Sequence, residues 1–233
     1  MNPPLISCLV PVFNGERFIT EALESIFAQD HRPIEVIVVD DGSTDRTRER
    51  VLGFGDRVTC LSQPNSGPAA ARNRAADAAG GDYLAFLDAD DLWCPGKLSR
   101  QLAVLTGTNA PDISVTLVEN FWVDELQQEA DRFRDHPISR PIAGYVSQTM
   151  LVSRDVFERV GSFDPQLGYG DSADWFLRAR NKGLVIELLP EVLLRRRLHQ
   201  VNRSRILGEE GRDEFLLLIK AKLDRERGDD RRV

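Results

Sequence analysis

At 233 residues and 42% apolar content, the chain is long enough to bury one good-sized core, so a single domain is expected. A formal net charge of −7 argues against nucleic acid as a partner, because that partnership requires a basic field. The three cysteines, Cys8, Cys60 and Cys94, are odd in number and far apart, which suggests neither a disulfide framework nor a zinc cluster and fits a reducing cytoplasm.

Met1 to Phe13 contains an apolar stretch but no basic leader or small-residue cleavage site, and Pro11 interrupts it, so it reads as a strand and not a signal. No apolar run approaches the roughly 20 residues that span a bilayer, which leaves peripheral contact as the only membrane association expected. Leu5 to Phe13 and Ile34 to Val39 are β-branched-rich runs, each followed by helical apolar spacing; Phe18, Ile19, Ala22, Leu23, Ile26 and Phe27 make the first helical face. A second helix is expected from Ser43–Asp45 to Gly53, a third strand over Val58 to Leu61, an Ala-rich helix over Ala69 to Ala79, and a fourth strand over Tyr83 to Leu87. Strand and helix alternate, the pattern of a parallel sheet covered on both faces, where ligands bind at the carboxyl ends of the strands. Asn14, Asp40-Asp41-Gly42-Ser43 and Asp88-Ala89-Asp90-Asp91 would then share one rim.

Beyond Pro111 the pattern is less regular, with strand-like Ile113 to Val118 and Tyr145 to Val152 and a helix-like acidic stretch from Asp124 to Arg134. Residues 1–205 therefore read as one domain. The tail, 206–233, carries Phe215 to Ile219 among charges and reads as an amphipathic helix.

The most informative segment is Phe86-Leu87-Asp88-Ala89-Asp90-Asp91, a hydrophobic strand running into three carboxylates. Side chains two apart on an extended chain point the same way, so Asp88 and Asp90 converge, as suits Mg²⁺ or Mn²⁺ with open positions for phosphate oxygens. The alternative is a helix cap near Pro95 with solvated turn residues.

Together with Pro11-Val12-Phe13-Asn14, Val39 to Asp45, Asn65-Ser66-Gly67 and Ala71-Arg72-Asn73, this segment resembles family 2 glycosyltransferases in order and spacing. The likeness continues more loosely through Val160 to Asp164 and Asp174 to Arg178. It implies a GT-A fold: an α/β domain with a Rossmann-like, mostly parallel central sheet, helices on both faces and a mixed acceptor-side region. It also implies that 1–105 is the nucleotide-sugar-binding half of the domain and 106–205 its acceptor-binding half, with inverting sugar transfer from a nucleotide diphosphate sugar. By the same resemblance Pro11, Val12, Asn14 and Gly67 line the nucleotide pocket. Asp40 accepts from the base, which suits uracil or thymine and hence a UDP or TDP donor. Asp88 meets ribose or a metal-bound water, Asp90 coordinates the metal, and Asp91 orients the loop. Asp41 reads as a turn residue with Ser43 capping the next helix, and Arg72 is open between phosphate or base contact and an ion pair with a rim carboxylate.

The family's Glu-Asp pair is missing from Gly170-Asp171-Ser172-Ala173-Asp174-Trp175. The expected base is Asp171, with Asp174 second; the competing reading has Asp171 cap the helix and Asp174 pair with Arg178. Trp175 reads as core. The basic run Arg195 to Arg203 resembles the family's late Arg/His segment, which implies Arg197 at the diphosphate and His199 in the metal shell. The acceptor is left open among sugar, peptide and lipid-linked hydroxyls. The rival reading is a non-catalytic nucleotide-sugar-binding scaffold. A Rossmann dehydrogenase is disfavoured because no GxGxxG turn follows the early strands.

Overall fold

The computed structural model describes residues 3–167 and 170–202. The expected tail helix over Phe215–Ile219, together with Gly168 and Arg203, lies outside the described residues. The elements are β1 (Ile6–Val12), α1 (Ile19–Phe27), β2 (Ile34–Asp40), α2 (Thr47–Leu52), β3 (Thr59–Ser62), α3 (Pro68–Ala78), β4 (Tyr83–Phe86), β5 (Leu92–Trp93) and α4 (Lys97–Leu105). They continue with β6 (Ile113–Trp122), α5 (Gln127–Arg132), β7 (Ile142–Ala143), β8 (Leu151–Ser153), α6 (Arg154–Val160), α7 (Asp171–Asn181) and β9 (Ile186–Leu198).

One sheet runs in the order β3-β2-β1-β4-β8-β6-β9-β5, with β7 added to β6. Strands β3, β2, β1 and β4 are mutually parallel, and β8 enters antiparallel to β4 and begins the mixed half. All seven residues of β1 are buried because both of its faces are covered. Leu9, Ile37, Val39, Leu84 and Phe86 pack under α3, α6 and α7, while the alternate residues Cys8, Val10, Val36, Val38 and Leu87 pack under α1, α2 and α4. Helix α3 has little apolar bulk; buried Ala69, Ala71, Ala75 and Ala76 let its backbone lie close on the sheet.

The parallel half follows the expected order, with boundaries displaced by one to three residues. The mixed half departs more. Tyr145 to Val152 is not a strand throughout: Ser147–Thr149 is a single helical turn, and only β8 pairs. The acidic stretch is a turn plus the short α5, and β5, β7 and α6 carried no strong local signal. Ser153 caps α6 by accepting from the Val156 N–H at 3.3 Å. Among the described residues no helix is long and apolar enough to cross a membrane.

One buried amine sits in this core. Lys97 is fully buried in α4, donating to Gln101 Oε1 at 2.6 Å with its ammonium 4.6 Å from the centroid of the Trp93 ring. Burial pushes its pKa from 10.5 down to about 7, opposed only weakly by Cys8, whose own burial pushes that thiol up to about 12. Between those two lysine values the unfolded chain holds the proton and the folded one does not, so stability rises with pH by roughly 1.4 kcal/mol per unit. Urea unfolding from pH 7 to 10 should therefore show a rise in wild-type stability that Lys97→Met lacks. Equal slopes in the two proteins would refute this assignment.

Candidate active site at the carboxyl edge of the parallel strands

The loops leaving β1 and β2 are laced together. Asn14, in the left-handed region at φ 51°, donates its N–H to Ser43 Oγ at 2.9 Å and accepts from the Thr44 N–H at 2.8 Å. Ser43 is therefore a tether for the first loop, not the cap of α2 that the sequence suggested; Asp45 takes the Thr47 N–H at 2.9 Å. Asp40 is buried and accepts from the Ser43 N–H at 2.9 Å. Pro11 and Val12 are buried within β1, directly beside Val39 and Asp40.

Asp41 is the knot beneath this rim. One carboxylate oxygen accepts from Gln63 Nε2 at 2.7 Å and from the Ser66 N–H at 2.8 Å, and the other accepts from the Gly67 N–H at 2.8 Å. Gly42 is required there, since its φ is 81° and an added Cβ would lie 2.9 Å from the Asn65 nitrogen. Gly67, at φ 88°, opens α3, with Pro68 as the first helical residue. Holding Gly67 fixes where α3 begins, and hence where Arg72, one turn in, points.

The acidic segment is a turn. Chain extension ends at Phe86, and the Asp91 N–H donates to the Asp88 carbonyl at 3.1 Å. Asp88 and Asp90 do converge, but through this turn and not through strand alternation. Carboxylate oxygens of Asp88, Asp90 and Asp91 lie within 4.8 Å of one another. Asp91 is buried and accepts from the Arg197 N–H at 2.9 Å; burial, then Asp90 and Asp88, pushes its carboxyl well above the usual range. Asp90 Oδ2 lies 2.9 Å from His199 Nε2 and accepts from Asn202 Nδ2 at 3.3 Å. His199 is buried, its Nδ1 without a partner. Hard carboxylate oxygens beside an imidazole nitrogen form a donor set that fits Mg²⁺ or Mn²⁺.

Arg72 crosses the site. Its Nη2 donates to Asp88 Oδ1 at 2.7 Å and its Nη1 to Asp171 Oδ2 at 2.6 Å, with a side chain 6% exposed. Burial alone would lower its pKa, but Asp88 and Asp171 outweigh it and the pKa moves up. The other Asp88 oxygen accepts from Gln148 Nε2, and the Arg72 Nε and Gln148 Oε1 atoms are buried without partners. Asp171 is the first residue of α7, following Gly170 at φ 98°. The two candidate bases are thus placed differently. Asp171 faces the acidic turn, whereas Asp174 accepts from Arg178 Nε at 2.7 Å, and Arg178 also donates to the carbonyls of Val160 and Ser162. Trp175 is fully buried and donates to the Gly161 carbonyl at 2.8 Å.

Arg197 sits under the site. Its guanidinium lies 4.6 Å from the Phe18 ring centroid and 4.8 Å from that of Phe121, and it donates to Glu21 Oε2 at 2.7 Å and to the Asp90 carbonyl at 2.9 Å. Two residues were not singled out from sequence as contacts of the acidic turn, Gln148 on Asp88 and Asn202 on Asp90. Both lie 60 positions or more beyond their partners in the chain, so only folding brings them to the turn.

Solved structures with this architecture include Staphylococcus aureus TarS residues 1–349 in complex with UDP-GlcNAc, at TM-score 0.70 and 21% identity over 91% of this chain and 65% of that one. The complex of the same protein with UDP matches at TM-score 0.66 and 22% identity over 83% of this chain and 60% of that one. The fold is thus that of a GT-A-like glycosyltransferase. Residues 7–161 match the glycosyl transferase family 2 model, and the chain belongs to that family. A glycosyltransferase of Rickettsia typhi is 30% identical over 212 residues, covering 86% of this chain and 66% of that protein. The UDP-Glc:alpha-D-GlcNAc-diphosphoundecaprenol beta-1,3-glucosyltransferase WfgD of Escherichia coli is 38% identical over 111 residues, 47% of this chain and 44% of that protein. The chain thus spans at most about two-thirds of these relatives.

Asp41→Asn would place an amide where three donors need an acceptor. It should lower the unfolding free energy by about 2–4 kcal/mol in urea titrations. A wild-type midpoint and slope would show that the knot holds nothing.

Proposed function

We propose that the chain is a metal-dependent inverting glycosyltransferase that moves a sugar from a UDP- or TDP-type donor to an acceptor hydroxyl. The observation that carries this reading is that Arg72 joins the acidic turn, through Asp88, to Asp171, so that a carboxylate cluster suited to the donor and a candidate base meet at one site. Pro11, Val12, Asn14 and Gly67 border the nucleotide, and Asp40 accepts the N–H of the base. Likeness to a relative named for a UDP-sugar donor supports that choice.

Asp90, His199 and Asp88 would hold the divalent cation, which supplies neutralising charge for the departing diphosphate. Asp171 takes the proton of the acceptor hydroxyl and sits at the start of a helix, on the acceptor half. Asp174 keeps α7 tied to the 160–162 loop through Arg178. Arg197, committed to Glu21 and to the Asp90 carbonyl, supports the acidic turn from below. The 143–150 segment, which brings Gln148 to Asp88, borders the acceptor, whether sugar, peptide or lipid-linked.

Calorimetric titration of UDP with and without Mn²⁺ tests the donor site. Saturable binding that weakens without metal, and loses that dependence in Asp90→Asn, is expected; absence of binding in both conditions would overturn the donor assignment. Hydrolysis of a UDP-sugar in water tests the base. Asp171→Asn should keep UDP affinity yet lower turnover by about 100-fold or more. Asp174→Asn should retain turnover and lose stability, by about 3 kcal/mol for a broken, largely buried pair. Unchanged turnover in Asp171→Asn would remove it as the base.

A further inference from the structure

We infer that Arg72 is a positioning residue that couples the donor-side carboxylate Asp88 to the base Asp171, so that the aim of the base depends on the acidic turn; this rests on the glycosyltransferase reading above. The guanidinium is a rigid planar fork, and here its two prongs are split between two carboxylates instead of chelating one. The distances are 2.7 Å to Asp88 and 2.6 Å to Asp171. The three residues come from three elements: Arg72 from α3, Asp88 from the end of β4, and Asp171 from the start of α7. The last lies 99 positions from Arg72 in the chain.

Stability alone does not account for such a cluster. Buried ion triads are often no more stable than well-packed apolar replacements, because desolvation offsets the attraction. What the cluster does is geometric. Asp88 is held on its other oxygen by Gln148, and Arg72 is held at its root by the Asp41–Gly67 tether. Both inputs to the fork are thus fixed, and its free prong sets the Asp171 carboxylate. A displacement at Asp88 passes to Asp171 through one inflexible group. Among the described residues Arg72 is the only cation paired with either carboxylate.

Lysine keeps the charge but offers one point donor, so Arg72→Lys separates charge from fork. Metal-dependent UDP-sugar hydrolysis should show kcat lowered on the order of 100-fold with KM and calorimetric UDP affinity changed by less than about 3-fold. In an Asp171→Asn background the same substitution should lower kcat by less than about 3-fold, since the group being aimed is gone. Equal losses in both backgrounds would overturn the inference. So would a loss of UDP affinity with kcat preserved, which would make Arg72 a nucleotide contact. If the lysine variant fails to fold by circular dichroism, Arg72→Gln carries the same cycle. Wild-type protein that binds Mn²⁺ and UDP but never hydrolyses the donor would sink the catalytic reading itself, and this inference with it.

Discussion

Burying a guanidinium at the edge of a sheet obliges the protein to bring carboxylates to it, and Arg72 draws them from both halves of the domain. Asp88 follows the last strand of the parallel half and Asp171 opens α7 in the mixed half; without the fork the two carboxylates would repel. Much of the remaining architecture supports that junction. Asp41 fixes Gly67 and so the start of α3. Asn73, the next residue, exchanges hydrogen bonds with both the N–H and the carbonyl of Phe163, at 2.9 and 2.8 Å, which pins the loop before α7.

The charge balance of the site gives the cleft its character. Of the carboxylates Asp88, Asp90, Asp91 and Asp171, two, Asp88 and Asp171, pair with the buried Arg72 fork, while the Arg197 guanidinium is occupied by Glu21. The protein tolerates this partly by raising the affinity of buried Asp91 for a proton. The remaining negative potential at Asp88 and Asp90 would favour a hard cation there, as the proposed function requires. The acidic overall composition is thus compatible with binding a polyanionic nucleotide.

A second set of contacts keeps α7 in place. Asp174 and Arg178 form an i, i+4 pair that holds the 160–162 carbonyls, and Trp175 anchors the same loop from the core. The result is a helix whose first carboxylate faces the cleft and whose second is committed to its own scaffold.

The parallel half was legible because each strand there is buried on both faces and each helix carries its own apolar spacing, so local patterns and global position agree. The acidic turn, Asp40, Asp90, Asp171 and His199 were expected at the site from a resemblance of motifs, which carries position but not contacts. Periodicity failed from 124 to 153, where short turns and the two- and three-residue strands β7 and β8 are stabilised by neighbours distant in sequence and not by their own pattern. Convergence of Asp88 with Asp90 followed from a backbone turn that composition does not encode. Sequence alone fixed the chemical inventory of the rim, because residue types at strand ends follow from chain order. Which carboxylate faces the cleft, that Ser43 tethers a loop, that Arg197 lies beneath the site and that Arg72 spans two halves were decided only by tertiary structure, since each depends on a partner 16 to 176 positions away that only packing brings within hydrogen-bond reach.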